Sequence, residues 1–104
     1  MEQYRVIIAP GAENDIRGIA ENIRRNLHQP DTAAKLMARI YREIFSLETM
    51  PERYAVSRNP DYARRGYRVT SVGNYLIFYA VDKARKTVTV LAVQHGSRSL
   101  RKRL

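Results

Sequence analysis

Residues 66–82 read GYRVTSVGNYLIFYAVD, and this stretch decides the fold. Two runs rich in β-branched and aromatic residues, 67–72 and 75–81, flank Gly73-Asn74, the dipeptide of a tight hairpin turn. The second run is apolar on both faces, which predicts a strand in the middle of a sheet. Its neighbours must come from the rest of the chain. Downstream, the polar residues 82–86 turn the chain into residues 87–93 (TVTVLAV), a further strand. Upstream, residues 52–66 read as loop, marked by Asn59, Pro60 and Gly66, with a short extended piece at 54–57. Before that loop, Ala33, Met37, Ile40, Tyr41, Ile44 and Leu47 fall at helical spacing, widened by Leu36 and Phe45. Asp31 reads as the cap of this helix and Met50-Pro51 as its end. Ile16, Ile19, Ala20, Ile23 and Leu27 form the stripe of an earlier helix, which Pro30 closes. Glu13 and Asp15 in its first turn and Arg24 and Arg25 near its end suit the helix dipole. The opening residues 4–9 (YRVIIA) read as a strand broken by Pro10-Gly11. The expected fold class is therefore α+β in the order β-α-α-β-β-β. A two-helix hairpin packs on one face of an antiparallel-rich twisted sheet, and residues 1–104 form a single domain. Residues 94–104 form a basic tail, with a short helix expected from Ser97.

Composition removes several function classes. The 104 residues contain no cysteine, which excludes disulfides, thiolate zinc sites and cysteine nucleophiles. Two histidines, His28 and His95, do not make a histidine-rich metal centre, and no metal or cofactor is expected. The longest apolar run is far short of the roughly 20 residues that cross a bilayer. The N-terminus does not place a basic stretch before an apolar one. The expectation is a soluble cytoplasmic protein without a membrane partner. Charge is distributed unevenly. Residues 1–50 hold seven basic and seven acidic side chains, whereas residues 51–104 hold twelve and three, so the whole net charge of +9 lies in the second half. Arginine dominates that excess, and its planar fork matches phosphate and carboxylate, so a polyanionic partner is expected.

Four segments carry a resemblance to a known family. Residues 4–23 (YRVIIAPGAENDIRGIAENI) look like its first strand and helix. Residues 33–54 (AAKLMARIYREIFSLETMPERY) look like its second helix and Pro-x-Arg. Residues 66–82 look like its central hairpin, and residues 87–100 (TVTVLAVQHGSRSL) like its last strand and the site that follows. Together they resemble the RelE/ParE superfamily of bacterial toxins from type II toxin–antitoxin pairs, over nearly the whole chain. The resemblance implies a cognate antitoxin, with operator DNA bound only through that antitoxin. It also implies one of two targets. RelE-type members cut mRNA in the ribosomal A site, and ParE-type members inhibit DNA gyrase.

Metal-free RNA cleavage needs a base for the 2′-hydroxyl, cations for the phosphorane and an acid for the leaving oxygen. General acid–base help alone supplies roughly 10²–10⁴-fold. His95 is the expected acid or base, because its imidazole exchanges protons near neutrality. The resemblance gives Arg68 the role of stabilising charge; Arg98, three residues past His95, is expected to share the same phosphate, and the Tyr75 phenol to stack on a base or relay a proton. Arg64, Arg65, Arg101, Lys102 and Arg103 are expected to hold phosphates. Tyr75 also stands where many RelE-type nucleases carry an arginine, and the tail is compatible with ParE-type endings. The basic second half favours RNA, since a phosphate-dense site rewards many arginines. The first expectation is thus a ribosome-dependent mRNA endonuclease. The alternatives are a non-enzymatic gyrase inhibitor and a toxin fold retained only for binding.

Overall fold

A computed structural model describes residues 2–27 and 30–96. Strand β1 (Arg5–Ile8) is followed by helices α1 (Pro10–Leu27) and α2 (Pro30–Phe45), a short helix α3 (Pro60–Arg64), and strands β2 (Arg68–Val72), β3 (Tyr75–Asp82) and β4 (Thr87–His95). The sheet order is β1-β4-β3-β2. The hairpin partners β2–β3 and β3–β4 run antiparallel, and β1 closes the other side parallel to β4. β3 is therefore central, as its two apolar faces require. Val72 pairs with Tyr75 across a two-residue turn, and Gly73 takes φ +58, which a side chain would resist.

The helices cover one face. Ala12, Ile16, Ile40, Ile44 and Leu47 pack on Ile77, Tyr79, Val88, Val90 and Val93. Ile40, Ile44 and Leu47 are completely buried, and each contributes about 1.5–3 kcal/mol relative to exposure. Tyr41 links the helices by donating to Glu13 at 3.2 Å. Phe45, expected to widen the α2 stripe, is instead half-exposed.

Several expected boundaries move. Both helices start on a proline, because the first turn has no partner for the missing N–H. Asp31 accordingly lies inside α2 and does not cap it. α2 ends at Phe45 and tightens into a single 3₁₀ turn, Ser46–Glu48. The expected loop at 52–66 contains α3, and its extended piece reduces to one bridge between Val56 and Arg68. β4 runs on to His95, two residues beyond the expected strand. The helix expected from Ser97 lies outside the described residues.

One irregularity shapes β4. Phe78 pairs with Ala92 and Tyr79 with Val90, so Leu91 is an extra residue in the ladder. The bulge lets Val88, Val90 and Val93 all enter the core, although the last spacing is three and not two. The backbone N–H of Val93 then donates to Asp15 Oδ2 of α1 at 2.9 Å.

Candidate functional site

His95 ends β4 directly opposite Tyr75, the first residue of β3. Their rings meet edge-on, with centroids 5.4 Å apart and planes at 88°. Tyr75 packs against the core while His95 is exposed. The period of two from Val93 puts His95 on the helix-covered face, at its open end. Beyond it, the Gly96 N–H donates to the Asn74 carbonyl at 2.8 Å and ties the strand end to the hairpin turn. A side chain at Gly96 would press on that carbonyl at 3.4 Å.

Arg68 is not part of this arrangement. It pairs with Tyr79, while His95 pairs with Tyr75, so the two lie at opposite ends of the hairpin. Their Cα positions are separated by about 13 Å along the strands and about 10 Å across them. The Arg68 guanidinium points the other way. It donates to the Tyr54 carbonyl at 2.6 Å and lies 3.7 Å from Glu52 Oε2, and Glu52 is shared with Lys83 at 3.6 Å. Next to it, the Tyr79 hydroxyl donates to the Pro51 carbonyl at 2.6 Å. Burial pushes the Tyr79 phenol up to about 12 against the pull of Arg68. Together these contacts fasten residues 51–54 onto the sheet.

Arg64 forms an exposed ion pair with Asp61 on α3, and Arg65 is exposed at the end of that helix. Arg98, Arg101, Lys102 and Arg103 lie outside the described residues. Among the described residues no group of three His, Asp or Glu side chains could hold a metal, and no helix is long and apolar enough to cross a membrane. The expected residues therefore resolve into a sheet-end pair, Tyr75 and His95, a structural clamp at Arg68, and a basic turn at Arg64 and Arg65.

Asp15, beyond its place in the helix dipole, accepts from the Val93 N–H two residues past the bulge and so ties α1 to β4. The readable signal was a carboxylate inside the apolar stripe, between Ala12 and Ile19. Arg58, part of the basic excess of the second half, lies exposed just before α3.

The family described as ParE toxin of type II toxin-antitoxin system, parDE, matches residues 6–100. Among solved structures, the RelBE2 toxin–antitoxin complex from Mycobacterium tuberculosis is similar, with a TM-score of 0.66 and 23% identity over 91% of this chain and 93% of that one. The chromosomal ParDE system from P. aeruginosa gives a TM-score of 0.73 and 18% identity over 89% and 96%. No curated protein matches the sequence.

Proposed function

The chain belongs to the ParE toxin family, within the RelE/ParE superfamily of type II toxin–antitoxin modules, and from that premise we propose that it arrests growth by binding DNA gyrase without chemistry. The observation that carries this reading is the commitment of Arg68. Cleavage by 2′-hydroxyl attack needs cations beside the acid–base group. Here that arginine holds Glu52 and the Tyr54 carbonyl, at the far end of the hairpin from His95. The surface offered to gyrase is the open sheet end, where Tyr75 and His95 meet, continued in sequence by Arg98, Arg101, Lys102 and Arg103. A cognate antitoxin is the second partner, since both similar structures come from toxin–antitoxin systems.

The test is a supercoiling assay with purified gyrase and relaxed plasmid. Loss of supercoiling, with trapped DNA breaks, is the expected result. Unaffected gyrase at molar excess of toxin overturns the reading. mRNA cleavage is the second reading, favoured by the contact between a phenol and an imidazole at Tyr75 and His95. It predicts new mRNA ends only when ribosomes are present, and their loss in His95→Ala.

A further inference from the structure

Helix α3 has five residues and no buried side chain, yet both of its ends are closed. Asn59 Oδ1 accepts from the Asp61 N–H at 3.0 Å and the Tyr62 N–H at 3.4 Å. Ser57 Oγ in turn accepts from the Asn59 N–H at 3.1 Å. Pro60 fills the first helical position, where no N–H is needed. At the other end Gly66 takes φ +75, its N–H donates to the Ala63 carbonyl, and the Tyr67 N–H donates to that of Tyr62. This is the double closure of a Schellman motif. Ser57 and Asn59 are two of four buried polar residues among the described residues. Tyr62 turns inward, 4.9 Å from the Phe78 ring and 5.7 Å from Tyr67. Phe78 projects from β3 opposite to Ile77 and Tyr79, so α3 rides on the sheet face that the long helices leave uncovered.

What this rigid mount displays is cationic. Arg58, Asp61, Ala63, Arg64 and Arg65 are all exposed. Asp61 is matched by Arg64, and neither Arg58 nor Arg65 forms an ion pair among the described residues. Those two arginines flank the helix, about 10 Å apart along its axis. Protein-binding surfaces centre on a buried aromatic or aliphatic anchor. α3 exposes none, because its one aromatic side chain is turned into the sheet. An arginine-tipped face whose only exposed apolar side chains on α3 are the small Pro60 and Ala63 suits a phosphodiester backbone, which is bound by position and charge.

We propose that α3 is a nucleic-acid backbone contact, with Arg58 and Arg65 each neutralising a phosphate. It is separate from the Tyr75–His95 surface and does not depend on which target the toxin inhibits. Binding is measured with nucleic acid alone, so a toxin that leaves gyrase untouched still tests it.

The experiment is fluorescence anisotropy of the full chain with a labelled DNA duplex of about 20 base pairs and a matching RNA stem, between about 50 and 200 mM salt. The double variant Arg58→Gln/Arg65→Gln is compared with Arg24→Gln/Arg25→Gln, which removes the same charge from the end of α1. The α3 variant is expected to weaken binding about tenfold or more and to lower the salt slope by about 1.8, from about 0.9 per phosphate lost. The α1 variant should change affinity less than about twofold. The probe with the larger loss identifies the source of the backbone. Equal losses in both variants, absent binding, or tighter α3-dependent binding to polyglutamate each overturn the proposal.

Discussion

The N–H of Val93 reaches Asp15 across 78 residues of sequence, on the stretch of β4 beyond Val90 where β1 no longer pairs with it. A partly buried donor stripped of its acceptor costs about 1–3 kcal/mol. Asp15→Ala should therefore destabilise by that amount, whereas Asp15→Asn, which keeps an acceptor oxygen, should recover most of it. Thermal unfolding of both variants checks this, and equal losses in the two would contradict it. Tyr79 makes a second residue-scale case. Its phenol is pushed up to about 12 by burial, while in the unfolded chain it titrates near 10. The neutral form is the one the fold favours. Its stabilisation is thus complete below about pH 10 and is lost as pH rises towards about 12. Tyr79→Phe should remove this component, so the stability gap between wild type and variant should shrink across that window. A gap that stays constant from neutral pH to about pH 12 would show that the phenol does not titrate there. At neutral pH the variant should cost about 1 kcal/mol for the hydrogen bond to Pro51.

At the scale of elements, α3 stands on its caps more than on burial, so capping is its weak point. Asn59→Ala should lower stability by about 0.5–2 kcal/mol and loosen the seat of Tyr62 on Phe78. Urea unfolding followed by tyrosine fluorescence would read both effects, and an unchanged midpoint would contradict the first. α3 also shows where sequence patterning runs out. The long helices and the central hairpin were legible because each repeats its apolar period several times, as Ile16, Ile23, Ile40 and Ile44 do. A helix of five residues spans little more than one turn, and with no buried side chain it leaves no period to detect. Asn59-Pro60 and Gly66 punctuate the sequence, but they bracket a helix and not an open loop. The parallel pairing of β1 with β4 was equally hidden, because local pattern carries no record of a partner some eighty residues away. At the site, Tyr75 and His95 were legible singly. Their contact was not, because it follows from strand register. The fate of Arg68 was hidden for a related reason. Its partners Glu52 and Tyr54 come from an irregular segment whose path only the folded chain defines.

For the whole molecule, the net charge of +9 divides between structural and presented arginines. Arg53 donates to the carbonyls of Ser46, Thr49 and Met50 and to the Ser46 hydroxyl, closing the turns that follow α2. Arg68 fastens the same region to β2. Arg58 and Arg65 face solvent at the two ends of α3, and His95 lies at the end of the opposite sheet face. The α3 face and the sheet end lie on opposite sides of β3, where Phe78 and Tyr75 project apart. Perturbations at independent surfaces add in free energy, usually within about 0.5 kcal/mol, or roughly twofold in a binding constant. On the proposed gyrase reading, two surfaces acting on one gyrase–DNA assembly should therefore give multiplicative losses. His95→Ala alone and Arg58→Gln/Arg65→Gln alone should each raise the toxin concentration that halves supercoiling. The combined variant should raise it by the product of the two factors, to within about twofold. A combined loss no larger than either separate loss would mean that both changes act through one surface, and the division of the molecule into two contacts would fail.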